Sequence, residues 1–148
     1  MSALLTIDAA RAEDAPACAR ILSDWRRETA WMPLRQDPVR DRDFLADLIA
    51  RGWVSVVRDG ARLAGFMARD GGEIHALYVA ASHRGQGVGH ALLEQAKSAV
   101  PRLRLWTFQA DARARAFYLR EGFGELCRTD GAGNDDGLPD IRYEWSRA

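Results

Sequence analysis

The run His83-Arg84-Gly85-Gln86-Gly87-Val88-Gly89 joins an alternating apolar stretch, Glu73 to Val79, to an amphipathic one in which Val88, Leu92, Ala96 and Ala99 recur at helical spacing. A strand that turns straight into a helix through three alternate glycines constrains this chain more than any other segment. Such glycines let backbone N–H groups turn inward and approach an oxyanion closely, and the following helix adds its own unpaired N–H groups and the positive end of its dipole. The segment reads as a pyrophosphate cradle. A Rossmann fingerprint would need glycine at His90, and a P-loop would need Gly-Lys-Ser/Thr, which the sequence lacks.

The elements around the cradle follow from periodicity and turn chemistry. Leu4 to Ile7 reads as a strand. Asp14, with Pro16 in the first turn, opens a helix carrying Ala15, Cys18, Leu22 and Trp25 on one stripe. Asp37 as cap and Pro38 at the first position open a second helix that buries Phe44, Leu45, Leu48 and Ile49 and stops at Gly52. Trp53 to Val57 and Arg62 to Ala68 form a hairpin across Asp59-Gly60, and Gly71-Gly72 turns into the strand Glu73 to Val79. Pro101 ends the helix after the cradle, and the last strands span Phe123 to Arg128 and Ile141 to Trp145. The order β-α-α-β-β-β-α-β-α-β-β is that of a mixed α/β layered fold.

At 148 residues, 47% hydrophobic and 28% charged, the chain has the proportions of one soluble globular domain, residues 1–148. Twenty-one basic residues balance twenty-one acidic ones, so no global field recruits nucleic acid or an anionic membrane. Met1 to Leu5 lacks the basic start and long apolar core of a signal peptide, which leads to the expectation of a cytoplasmic protein, monomeric or homodimeric, with Cys18 and Cys127 as reduced core residues.

Arg84, Gly87 and Gly89 match the pattern Arg/Gln-x-x-Gly-x-Gly/Ala, and downstream Ala114, Phe117, Tyr118, Gly122 and Phe123 match Ala-x-x-Phe-Tyr followed by Gly-Phe. In both motifs, and most strongly over residues 53 to 123, the chain resembles the GCN5-related N-acetyltransferase (GNAT) superfamily. The resemblance implies a single-domain α/β fold whose mostly antiparallel central sheet is flanked by helices. It implies that the loop Arg84, Gly85, Gln86, Gly87, Val88 and Gly89 binds the pyrophosphate of acetyl-CoA as co-substrate, and that backbone groups around Leu77 and Val79, where the strand splays from its neighbour, bind the pantetheine arm. Phe117 and Asp111 join this cofactor set. Asp111 stands where many relatives carry Asn; it makes a good N-cap, and Gln109 is the residue that could replace the lost amide contact.

Acetyl transfer to an amine needs a neutral amine and a proton for the departing thiolate. Tyr118 occupies the position of the tyrosine that in many relatives donates that proton. Glu73 and His75 are the candidate bases, Glu73 standing where some relatives place one. Strict alternation puts Glu73, His75, Leu77 and Val79 on one strand face and Ile74, Ala76 and Tyr78 on the other. The Thr29 to Leu34 connection, with Trp31 and Met32 as an apolar wall, and the Asp130 to Asp140 loop border the acceptor side in this superfamily. Asp130, Asp135, Asp136 and Asp140 could attract a cationic amine, or make a charged hairpin loop that serves only solubility. His83 and His90 lack metal-site spacing, so no metal is expected. The reading is an N-acetyltransferase of a primary amine on a small molecule, amino acid or peptide. A non-catalytic acyl-CoA-binding module and a protein N-terminal acetyltransferase are the alternatives.

Overall fold

The elements run β1 (Leu5–Ala9), α1 (Ala15–Glu28), α2 (Pro38–Ala50), β2 (Val54–Asp59), β3 (Arg62–Asp70), β4 (Glu73–Val79), α3 (Val88–Ala99), β5 (Arg102–Phe108), α4 (Ala112–Arg120), β6 (Gly124–Thr129) and β7 (Asp140–Ser146). They are those of a computed structural model that describes residues 5–33 and 37–148. The order is the expected one, with short 3-10 turns added at Ala12–Asp14 and Ala81–His83. β1 begins at Leu5 and extends to Ala9; Leu4 and Leu34 lie outside the described residues.

The strands form one sheet in the order β1-β2-β3-β4-β5-β7-β6. All pairings are antiparallel except β4 with β5. On one face α1 and α2 cover Val54, Val56, Phe66, Ala68 and Ala76 with Cys18, Ile21, Leu22, Leu45 and Leu48. On the other, Leu92, Leu93 and Ala96 of α3 and Tyr118 of α4 cover Met67, Ile74, Leu103, Leu105, Ile141 and Tyr143. Burying these side chains supplies most of the driving force for folding, at about 25 cal/mol per Å² of apolar surface.

Several expectations are corrected by packing. Phe44 of α2 is 46% exposed, because Leu45 and Leu48 fill the interface with α1. Ala99 is exposed and Leu93 takes its place beneath α3. Asp14 stands at the N-cap position of α1 with Pro16 in the first turn, as expected, but its carboxylate turns elsewhere, accepting the Arg11 backbone N–H at 2.7 Å and two guanidinium bonds from Arg58, at 3.0 and 2.6 Å. Cys18 is buried, but Cys127 is exposed with the whole of β6, an edge strand. That edge is blunted by a register shift between Glu125 and Cys127 and by the paired charges of Glu125 and Arg128.

The irregularity that shapes the site lies in β4. Ala68 pairs with Ala76 but Arg69 pairs with Ile74, so His75 is an extra residue. This bulge breaks the strict alternation expected from the sequence. Ile74, Leu77 and Val79 pack on the α3 side, and Ala76 and Tyr78 on the α1–α2 side. β4 and β5 pair only at Glu73 and Arg104, whereas β5 pairs with β7 along its whole length. Beyond that single rung the two parallel strands part, leaving the ends of β4 and β5 open toward the glycine loop.

Candidate active site

The glycine loop stands at this open end. Gly85 and Gly87 have φ values of +74° and +81°, in the left-handed region, and no atom lies within 4 Å of where a Cβ would stand on Gly85. Gly87 is the N-cap of α3 and no side chain caps the helix. Among the described residues the first-turn N–H groups of α3 therefore have no side-chain acceptor, as an anion-binding helix start requires. Gly89 serves another purpose: a Cβ there would stand 3.0 Å from Cζ of Phe117, so this glycine lets α3 pack against α4. Val88 and Gly89 are buried and can offer a ligand only backbone.

The loop is braced from three sides. Arg84 pairs with Glu28 of α1 at 2.7 Å, and Gln86 Nε2 donates to the Ser82 carbonyl at 3.2 Å. Buried His83 bridges Ser82 Oγ, 2.8 Å from Nδ1, and Asp59 Oδ2, 2.9 Å from Nε2. His90, the other histidine flanking the loop, turns to Glu121 at 2.8 Å; Glu94 completes this cluster, and Lys97 Nζ already places a cation 3.6 Å from Glu94.

Tyr118 lies on the α3–α4 face, with ring centroids 5.1 Å from Phe117, 5.5 Å from Phe123 and 6.1 Å from Tyr143. Burial holds its phenol well above the ordinary value, with Tyr78 and Asp111 adding to the effect. It is therefore a neutral proton donor at any physiological pH. Its hydroxyl makes no hydrogen bond among the described residues.

Tyr78, which strand alternation assigned to the opposite face from Leu77 and Val79 and gave no role, answers Tyr118 from the other side of the sheet. Burial pushes its phenol up to about 12, against the field of Arg26 and with those of Asp111, Asp136 and Asp41. Counted through the bulge from the Glu73–Arg104 rung, Tyr78 stands opposite Phe108. The two phenols thus approach the parted strands from opposite faces. Pairing pattern alone could not have found Tyr78, because the bulge is set by tertiary packing.

The candidate bases differ. Both oxygens of Glu73 accept guanidinium hydrogen bonds from Arg142, each at 2.6 Å, and Arg142 in turn lies over the Trp106 ring at 5.2 Å. Glu73 also stands at the joined end of β4. His75 is exposed, stacks on Trp53 with centroids 5.1 Å apart, and makes no hydrogen bond among the described residues.

On the acceptor side Trp31 is half-buried and Met32 is buried. Asp111 caps α4 as expected, accepting the Ala114 N–H at 3.0 Å. Gln109 is not free to replace the family's amide: its Nε2 donates to the carbonyls of Thr129 and Asp140, at 3.1 and 3.2 Å. Among the loop aspartates Asp140 is buried and taken up by Thr129 and Asn134, and Asp130 accepts the Ala132 N–H at 2.9 Å.

With the glycine cradle, the parted strands and the buried tyrosine in place, one comparison decides the family: the model of the acetyltransferase (GNAT) domain matches residues 49–125, just over half of the chain. The chain belongs to the GNAT acetyltransferase family. This GNAT chain is 36% identical over 88 residues to peptidyl-lysine N-acetyltransferase YjaB of Salmonella typhimurium, a stretch that covers 60% of this chain and 59% of that protein. The apo-form solution structure of YjaB from Escherichia coli superposes with a TM-score of 0.77 at 22% identity, covering 97% of this chain and 99% of that one. The structure of yncA from Salmonella typhimurium with its cofactor acetyl-CoA gives 0.76 at 19% identity, covering 98% and 95%. These two likenesses show the GNAT fold. No helix among the described residues is long and apolar enough to cross a membrane.

Proposed function

We propose that the protein transfers the acetyl group of acetyl-CoA to a primary amine. The observation that carries the reading is the opening between β4 and β5, with the glycine cradle at its rim and a neutral phenol buried beside it. The residues fit the co-substrate. Positive φ at Gly85 and Gly87, free space above Gly85, and an α3 whose N-cap carries no side chain suit a pyrophosphate held by backbone N–H groups. Backbone groups of Leu77 and Val79, which no rung joins to β5, are left to pair with an extended pantetheine arm as an added strand would.

Bound acetyl-CoA supplies an activated thioester carbon. The amine loses a proton, its nitrogen forms the new C–N bond, the C–S bond breaks, and Tyr118 gives its hydroxyl proton to the departing sulfur. Burial suits Tyr118 to this role, since a phenol kept neutral has its proton to give. Solvent then restores it. Of the two candidate bases, His75 has an exposed ring whose nitrogens are free among the described residues, whereas both oxygens of Glu73 are consumed by Arg142; we assign proton removal to His75 through water and a structural role to Glu73.

The test is a panel of amines incubated with acetyl-CoA under thiol detection, beside thermal denaturation with acetyl-CoA alone. A rise in Tm with acetyl-CoA together with amine-dependent thiol release supports the reading. A rise in Tm with no release from any amine would reduce the protein to a binding module.

A further inference from the structure

Four aromatic side chains form a continuous chain around the acceptor side of the opening. Tyr78 from β4 and Phe108 from β5 flank the gap at the same level. Trp25 of α1 lies 5.2 Å from Tyr78, Trp31 of the following connection lies 5.6 Å from Phe108, and the two indoles meet edge to face at 6.0 Å. All four remain half-buried. Apolar surface left partly open at a functional cleft marks a ligand site, and four rings fixed by one another keep their shape without a ligand.

The rim is acidic. Asp111 follows Phe108 by one turn, its N–H donating to the Phe108 carbonyl at 3.0 Å. The loop that carries Asp136 is tied to the same strand end by Gln109 N–H donating to the Pro139 carbonyl at 2.9 Å. Both carboxylates act on the Tyr78 phenol. Arg26, which faces Tyr78, is neutralised by its ion pair with buried Asp41.

From this arrangement we infer that the acceptor is a small amine whose ammonium group is attached to an aromatic body, the ring lying among Tyr78, Trp25, Trp31 and Phe108 and the ammonium directed to Asp111 and Asp136. The inference rests on the proposed amine acetylation and names its substrate class. An aromatic body offers flat faces to the ring edges, and the ammonium gains both the carboxylate field and the negative faces of the rings. A lysine side chain in a peptide brings its ammonium on a flexible stem, with polar backbone that these rings cannot satisfy.

The probes are phenethylamine, its neutral analogue 2-phenylethanol, spermidine and an Nα-acetylated lysine peptide. Binding is read by tryptophan fluorescence on the protein without acetyl-CoA, and transfer by thiol release. Phenethylamine is expected to bind at least tenfold more tightly than 2-phenylethanol and to exceed the lysine peptide and spermidine at least tenfold in kcat/KM. Trp31→Leu is expected to remove most of that preference while leaving the acetyl-CoA shift in Tm unchanged, with Trp31→Phe restoring it. Asp136→Asn, whose backbone N–H still donates to Asn134, is expected to bring the amine and the alcohol to similar affinity. Equal binding of amine and alcohol, preference for the lysine peptide or spermidine, or an unchanged preference in Trp31→Leu overturns the inference. Release from another amine without phenethylamine binding overturns the inference and keeps the transfer. Phenethylamine binding with no release from any amine overturns the transfer and supports the aromatic site.

Discussion

Replacing Gly87 with alanine separates the cost of a strained turn from the loss of a phosphate cradle. Gly87 has φ +81° and ψ +11°, where an L residue is disfavoured by roughly 1–2 kcal/mol. Alanine also loses less chain entropy on folding, an offset of about 0.4–1 kcal/mol, so the net destabilisation is about 1 kcal/mol. At this chain length that is a fall in Tm of about 2–4 °C. The effect on acetyl-CoA is larger: relaxation of the backbone out of the left-handed region turns an amide away from the phosphate, and one hydrogen bond to a charged group contributes about 1.5–3 kcal/mol. Affinity should therefore fall about ten- to a hundredfold. Gly71→Ala is the control, since it too has a positive φ, +56°, but lies in the β3–β4 turn at the joined end of the opening. Thermal denaturation and titration calorimetry with acetyl-CoA are expected to show similar Tm losses in the two variants and an affinity loss in Gly87→Ala alone. Equal affinities in the two would refute the cradle.

Tyr118→Phe keeps the ring contacts to Phe117, Phe123 and Tyr143 and removes only the proton donor, so kcat should fall about 10²–10⁴-fold with acetyl-CoA affinity unchanged; a rate within twofold of the parent would return Tyr118 to the core. His75→Gln should lower the rate most on the acid side and change the ascending limb of the pH–rate profile, whereas Glu73→Gln, which frees Arg142 from its bidentate partner, should lower Tm and leave that limb in place. Asp14 is held below its ordinary pKa of 3.8 chiefly by hydrogen bonds from Arg58, so this ion pair stabilises the fold at pH values above that ordinary value and the contribution is lost as pH falls through the lowered one. Asp14→Asn should accordingly cost about 1–3 kcal/mol at pH 7, and denaturation curves of parent and variant should converge in strong acid; a Tm difference that persists there would refute the assignment.

The succession of strands and helices was legible residue by residue, because periods of 2 and 3.6 and the chemistry of Asp37, Pro38, Gly71 and Pro101 act over a few residues at a time. The glycine loop was legible for the same reason, since the conformations of Gly85 and Gly87 are local. What depended on distant contacts was not. The bulge at His75 follows from how β4 docks on β3, and it alone moved Leu77 and Val79 to the α3 face and aligned Tyr78 with Phe108. The partnership of Glu73 with Arg142 joins residues 69 positions apart. Phe44 is left exposed because Leu45 and Leu48 fill the interface with α1, and Cys127 because β6 is an exposed edge strand, neither of which hydrophobicity encodes. The aromatic chain likewise draws Trp25, Tyr78 and Phe108 from three separate elements and Trp31 from the connection after α1. Sequence by itself determined the family, the elements and the cofactor loop; tertiary structure decided which side chains surround the opening, because only docking of the sheet and its two helical layers brings remote residues within reach of one another.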